Sequence, residues 1–305
     1  VLQGDTLWIG SLNGLYTYQL KSRQLNHFDS KQTGLPHNTI YSIIHTKDNQ
    51  IYIGTYNGLC RYVQASGKFE NILLPVNRGG SNLFVNSLLE DTTRQCIWIG
   101  MEGYLFQYNP TIGEMKAIEV FHNNSIKSLA LDGDENLLAG TDNGLYVYQN
   151  DKEPLQHIIH DSRNIQSLTN NIIWNIFSDQ EHNIWLGTDY GISLSRYNSA
   201  LQFVPISQIT GTGDGNQFYS LFRDSKGFYW FGGTNGVIRF THPAGNKHDA
   251  IWYRMGDKNH PLSHNRIRHI YEDREQQLWI ATDGSINRYD YNTHQFVHYN
   301  IVDST

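Results

Sequence analysis

An all-β fold, a seven-bladed β-propeller of four-stranded antiparallel blades, is predicted by three observations. One motif recurs seven times, its spacing is close to constant, and the composition favours short strands over helices. The first copy of the motif, Leu7-Trp8-Ile9-Gly10-Ser11-Leu12-Asn13-Gly14-Leu15, is an apolar strand, a tight turn and the start of a second strand. Further copies begin at Ile51, Ile97, Leu137, Ile184, Tyr229 and Leu278, so successive starts lie 40 to 49 residues apart. The 305 residues include 19 Tyr, 13 Phe and 7 Trp but only 7 Pro, and no window sustains a helical period.

The second copy shows the parts of a blade. Asn38 to His45 reads as strand a, following a loop with Gly34 and Pro36; Lys47 to Gln50 turns the chain and Ile51 to Thr55 returns as strand b. Asn57-Gly58 is the dipeptide that supplies positive φ in a two-residue hairpin, so Leu59 to Tyr62 pairs back as strand c. Phe69 to Ile72 makes a short outer strand d. Strand b carries large apolar residues on both faces, Tyr52 on one and Ile51 and Ile53 on the other, so both faces of so small a sheet require cover. Stacking seven twisted sheets around an axis supplies it without a long exposed edge. The Trp in strand b, present as Trp8, Trp98, Trp185, Trp230 and Trp279, then wedges between blades.

In order, the blades are expected at about 1–29, 38–74, 84–121, 125–159, 171–206, 216–255 and 265–300. Blade one opens with a cut-down strand, Val1 to Gln3, and blade four is the most degenerate, with Leu138 and Ala139 in strand b and a short strand a. Gly- and polar-rich insertions stand at Thr210–Asn216 and Thr241–Asp249, and a tail at Ile301–Thr305. The chain starts at Val1 without a Met, which reads as a mature or excised segment of something longer.

Bulk properties exclude several functions. A net charge of -6 with no basic cluster disfavours nucleic acid, because nothing is present to displace phosphate counterions. No apolar run approaches the roughly 18 residues of a membrane span, so no membrane contact is expected. Cys60 and Cys96 read as buried free thiols in neighbouring blades, with a disulfide as the lesser alternative. The 14 His lack metal-ligand spacing, and neither a Gly-x-Ser-x-Gly motif nor a phosphate-binding loop occurs, so no metal, cofactor or catalytic residue is assigned. Gly133–Asn136 and Gly213–Asn216 lack the length and terminal Glu of a calcium loop. Asp91, Asp132, Asp179, Asp224 and Asp273 each follow strand a, where an Asp bonds its own turn.

The candidate site comes from alignment of the first strands. One position is apolar in six blades (Ile40, Val85, Ile126, Ile173, Phe218, Ile267), and so is the position three residues later. Between them stand Tyr41, Asn86, Lys127, Trp174, Tyr219 and Arg268, large and chemically unlike one another, where a packed position would converge on one shape. They are expected to line the mouth of the central channel. The loops preceding strand a add His37, Arg78, Arg163, His264 and Arg266, together with Asn82, Asn171 and Asn216. Aromatic faces beside polar donors suit a sugar, whose apolar face stacks while its hydroxyls are bonded. Filling and solvation of the channel is the plainer alternative.

The motif Leu-Trp-Ile-Gly-Thr, two variable residues, Gly-Leu and Tyr resembles the two-component regulator propeller repeat, best matched at Ile51–Tyr62, Leu137–Tyr148 and Ile184–Tyr197. The resemblance implies the periplasmic sensor part of an inner-membrane hybrid two-component system, a histidine kinase family. It further implies an oligosaccharide signal from a complex glycan, a homodimer in the full-length receptor, and an adjoining propeller or β-sandwich domain. None of the kinase lies in this chain, so the segment is read as a non-enzymatic sensor. A lyase or glycosidase-like propeller enzyme and a protein-docking propeller are the alternatives; for a lyase, His264, His269 and Glu272 are the nearest approach to an acid–base set.

Overall fold

The computed structural model describes all residues except 77–82, 119–123, 150–151, 198–202, 206–215, 242–249, 259–260 and 300–305. It is all-β: seven four-stranded antiparallel sheets, each with its strands in chain order from a to d, make a seven-bladed β-propeller. The chain divides into two compact units, 1–129 and 130–305. In the first, blade one comprises Leu2–Gln3, Thr6–Ser11, Gly14–Gln19 and Leu25–Phe28; blade two, Ile40–His45, Ile51–Thr55, Gly58–Val63 and Lys68–Ile72; blade three, Val85–Asp91, Cys96–Met101, Leu105–Asn109 and Glu114–Ile118. Strand a of blade four, Ile126–Leu131, spans the division, and Leu137–Thr141, Gly144–Gln149 and Lys152–Ile158 complete that blade. The second unit continues with Ile173–Ser178, Ile184–Thr188, Gly191–Ser195 and Phe203–Pro205, then Phe218–Arg223, Tyr229–Gly233, Gly236–Phe240 and Ile251–Tyr253, and finally Ile267–Glu272, Leu278–Thr282, Ile286–Asp290 and Gln295–Tyr299.

Strand b is the buried centre of each blade, and in blades two to six every residue of it is buried. Within each unit the apolar clusters join adjacent blades. Trp185, for example, packs with Phe218, Tyr229 and Phe231 of the next sheet. The repeated Gly near the end of strand b marks the closest approach: a Cβ at Gly100 or Gly140 would lie 2.6 Å from Ile126 or Ile173, the first residue of the following blade. An Ala there forces the sheets apart.

The repeated Trp and Asp, read separately from the sequence, prove to be one device. The indole N–H of Trp98, Trp185, Trp230 and Trp279 donates to Asp91, Asp179, Asp224 and Asp273 at 2.7 to 3.0 Å, while the same carboxylates accept backbone N–H groups of the a–b turn. Blade four has Leu138 instead of Trp, and there the amide of Asn136 donates to Asp132 at 2.9 Å.

The b–c hairpin departs from expectation. Positive φ occurs at Gly58 (118°) but not at Asn57, so the loop residues are Tyr56 and Asn57 and strand c starts at the Gly. The turn is held by Thr55, whose hydroxyl donates to the Gly58 carbonyl at 2.9 Å and accepts from the Asn57 N–H at 3.1 Å. Ser11, Thr141, Thr188 and Thr282 repeat the arrangement. In blades one to six the turn also ties to the next blade, because the N–H of Gly14, Gly58, Gly103, Gly144, Gly191 or Gly236 donates to the carbonyl two residues before the following strand a, at 2.7 to 3.0 Å.

Smaller differences have local causes. Strand a of blade one is two residues, Leu2–Gln3, and blade four is not short, its strand a having six residues. A four-residue helix, Ser30–Thr33, forms because Asp29 accepts from the Lys31 and Gln32 N–H groups and Gly34 takes a left-handed φ of 83°. Both cysteines are free and buried. The predicted insertion at 242–249 and the tail at 301–305 lie outside the described residues, as does the 210–216 loop apart from Asn216.

Candidate ligand-binding site

The variable position of strand a is a β-bulge. In blade two Ile40 pairs with Thr55 and Ser42 with Gly54, which leaves Tyr41 without a cross-strand partner. The same slip leaves out Asn86, Trp174, Tyr219 and Arg268 in blades three, five, six and seven. A bulged residue departs from the ladder and its side chain is re-aimed. This accounts for the apolar spacing of three, since residues three apart face opposite sides of a regular strand and the extra residue restores them to one side. Ile173 and Ile176, like Phe218 and Leu221, are accordingly both buried.

In the first unit Tyr41 belongs to an aromatic group. Its ring, 44% exposed, stands 6.4 Å from Tyr56 and 6.3 Å from Phe84, while Tyr56 meets Phe84 edge-on at 4.4 Å and the His37 ring at 4.8 Å. His37 also accepts the Thr39 N–H on Nδ1 at 3.0 Å. Asn86 differs: its amide donates to Ser125 Oγ and the Ile126 carbonyl at 3.2 and 3.1 Å, tying blade three to blade four, so its donors are spent on the fold. Lys127, at the equivalent position of blade four, is half-buried and engaged.

In the second unit Trp174, Tyr219 and Arg266 come together with two residues that sequence reasoning missed. Trp174 Nε1 donates to Asp189 Oδ1 at 3.0 Å, and Gln217 Nε2 donates to the same oxygen at 2.6 Å. The Tyr219 hydroxyl donates to Gln217 Oε1. The Trp174 and Tyr219 rings meet at 83° with centroids 5.3 Å apart, and the exposed Arg266 guanidinium stands 5.9 Å from the Tyr219 centroid. Arg268 grips Asp283 with two hydrogen bonds, 2.5 and 3.2 Å, and so is already neutralised.

Other expected residues are not brought there. Arg163 is exposed and pairs with Asp161 of its own loop at 3.1 Å, an interaction that holds the Asp161 carboxyl below the usual range. Asn171 accepts the His160 N–H at 2.6 Å, and the buried Asn216 accepts from the Thr234 hydroxyl at 2.5 Å; both brace loops. His264 accepts the Arg266 N–H on Nδ1 at 3.0 Å. Glu272 closes the six-residue strand that follows, accepts from Ser225, and so lies about 16 Å further along the sheet. Of the three residues His264, His269 and Glu272, the first and last are therefore not an acid–base pair, and His269 lies between them on that strand. Arg78 and Asn82 lie outside the described residues.

Among the described residues no group of three His, Cys, Asp or Glu could hold a metal ion, and no helix is long and apolar enough to cross a membrane. Each unit thus holds one aromatic group at a bulge, Tyr41 with Tyr56 and Phe84 in the first and Trp174 with Tyr219 in the second, the latter beside carboxylate, amide and guanidinium groups.

The family model described as "Two component regulator propeller" matches residues 34–57, 167–190, 212–235 and 261–284. A solved structure described as the extracellular domain of hybrid two-component system BT4673 from B. thetaiotaomicron is 82% identical, with a TM-score of 0.64, over 100% of this chain and 41% of that one. A second structure, also of the BT4673 extracellular domain but described as a one-component system, is 82% identical over 99% of this chain and 41% of that one, with a TM-score of 0.63. The chain therefore spans about two fifths of those domains. A streptogramin B lyase matches at 14% identity over 88% of this chain and 85% of that one with a TM-score of 0.67, a likeness of fold alone. No curated protein matches the sequence.

Proposed function

Because the chain belongs to the family of two-component regulator propeller repeats, we propose that it is the periplasmic ligand-binding sensor segment of a hybrid two-component system. The ligand in this reading is an oligosaccharide released from a complex glycan. The signal passes to a kinase elsewhere in the same protein, which works as a homodimer with an adjoining propeller or β-sandwich domain. One observation carries the reading: Trp174 and Tyr219 set two aromatic planes at 83° beside Asp189, Gln217 and Arg266. Sugar rings present apolar C–H faces to such planes and hydroxyls to such polar groups, and each contact is directional enough to discriminate among sugars.

Binding without turnover is the expected behaviour. Titration of the protein with a library of oligosaccharides in a calorimeter, followed by mass spectrometry of the recovered sugar, tests it. Saturable heat with unchanged sugar supports sensing. Cleaved sugar makes the segment an enzyme, and no heat across the library removes the glycan from the proposal.

A further inference from the structure

Asp189 is the first loop residue of the b–c turn in blade five, fixed from both sides of the chain. Its backbone N–H donates to the Ile172 carbonyl at 3.0 Å, and its Oδ1 accepts from both Trp174 Nε1 and Gln217 Nε2. Among the described residues Oδ2 makes no hydrogen bond and no cation pairs with the carboxylate, although the side chain is half-buried. A half-buried carboxylate, held on one oxygen and unbonded on the other beside the half-buried rings of Trp174 and Tyr219, is a strong acceptor in want of donors. Turn geometry alone does not require it, since Tyr56 occupies the same place in blade two and the turn is held by the preceding Thr in both.

Resting on the oligosaccharide reading above, we propose that Asp189 is the specificity-determining acceptor of this site, taking neighbouring hydroxyls of an uncharged sugar residue stacked in the corner of Trp174 and Tyr219. The open oxygen excludes a uronic acid or sulfated sugar at this position, because bringing a second anion against a half-buried carboxylate costs both desolvation and repulsion. Two arginines of blade seven do not reverse this: Arg268 is occupied by Asp283, and Arg266 lies at the Tyr219 end of the corner. There it is placed to donate to the hydroxyl or ring oxygen at the other side of the same sugar.

The test uses gluco-, manno-, galacto-, xylo- and arabino-oligosaccharides as neutral probes, with oligogalacturonate and chondroitin sulfate fragments as acidic ones. They are titrated into the wild type and into Asp189→Asn, which keeps Oδ1 for Trp174 and Gln217 and replaces only the open oxygen by a donor. A neutral probe should bind the wild type, and Asp189→Asn should weaken it about tenfold or more, the size of a charge-assisted hydrogen bond, at an unchanged melting temperature. Acidic probes should gain relative to neutral ones in the variant. A neutral probe whose affinity is unmoved by the substitution overturns the role of Asp189 while leaving the glycan reading intact. Tighter binding of an acidic probe by the wild type overturns the charge selectivity. Silence from every probe, neutral and acidic, takes down both.

Discussion

Replacement of Asp179 by Ala should cost about 3 to 6 kcal/mol of stability. Its Oδ2 accepts from Trp185 Nε1 at 2.8 Å, from the Tyr229 hydroxyl at 3.1 Å and from the Asn183 amide at 3.1 Å; Oδ1 accepts the Glu181 and Asn183 N–H groups at 3.0 and 2.8 Å. Trp185 and Tyr229 are 0% and 1% exposed, so water does not replace the carboxylate when it goes; the indole is left without an acceptor and the Tyr229 hydroxyl keeps only a 3.5 Å contact to Glu181. Each buried donor left unpaired costs about 1 to 3 kcal/mol, and the two turn N–H groups, which can turn to solvent, add a smaller amount. Asp132→Ala is the internal control. Asp132 caps an equivalent turn at 2.9 and 2.8 Å in the blade that has Leu138 in place of the indole, and its loss should cost about 1 to 2 kcal/mol. Urea unfolding followed by tryptophan fluorescence measures both. A double-mutant cycle with Trp185→Phe separates the indole contact, and Asp179→Ala should cost about 1 to 3 kcal/mol less in that background. Equal penalties for Asp179→Ala and Asp132→Ala, or a cycle that sums without coupling, would refute the claim that the Trp–Asp bond is what the repeat conserves energetically.

Three further expectations are open to direct measurement. Trp185→Ala should cost about 3 to 5 kcal/mol as a truncated core aromatic, whereas Trp174→Ala, at a half-buried bulge, should leave the melting temperature near the parent value and weaken ligand binding; the reverse pattern would place Trp174 in the core. Burial pushes the Cys60 thiol up and the Cys96 thiol up to about 11, so neither should react with a disulfide reagent at pH 8 until denaturant is added, when both react; prompt labelling of the folded protein would contradict this. Burial works against ionisation of Asp91, but the Trp98 indole and the Arg94 N–H and guanidinium outweigh it and hold the carboxyl below its usual value. Its contribution is therefore complete above about pH 4, the unfolded value, and is lost as pH falls through the lowered folded value. Asp91→Asn should flatten the acid limb of the stability curve, and superimposable curves for wild type and variant would show the group to be inert.

The number of blades was legible because each copy of the motif repeats the same physical demand. Strand b is apolar on both faces; in six copies a Gly stands near its end, with Ala281 in the seventh, and in five a second Gly supplies the positive φ that opens strand c, as Gly54 and Gly58 do in blade two. The Trp–Asp bond was not legible as a bond. Trp185 and Asp179 are six residues apart on different strands, and only the cross-strand register, with Ser178 opposite Ile184, brings indole and carboxylate together. The hairpin was displaced by one residue for a related reason: Asn57-Gly58 fits the two-residue turn rule, yet the Thr55 hydroxyl satisfies the turn by itself and leaves Asn57 with ordinary φ.

At the site, the residues of one strand were visible and their partners across the turn were not. Tyr41 stands by Tyr56, Trp174 bonds Asp189, and Arg268 grips Asp283, so in three blades the bulged residue is answered by the first loop residue of its own b–c hairpin. The bulge itself was written in the sequence: apolar residues at Ile173 and Ile176 cannot both face the core of an unbroken strand, and a spacing of three within a β-segment calls for one extra residue between them. Taking Thr188 as the fixed point of the hairpin then makes Asp189 the neighbour of Trp174 through the pairing of Ile173 with Thr188. The two columns meet through different chemistry in each of these blades: ring by ring at Tyr41 and Tyr56, indole on carboxylate at Trp174 and Asp189, cation on anion at Arg268 and Asp283. Variation at such paired, partly buried positions is what the proposed sugar site calls for, and a packed position does not.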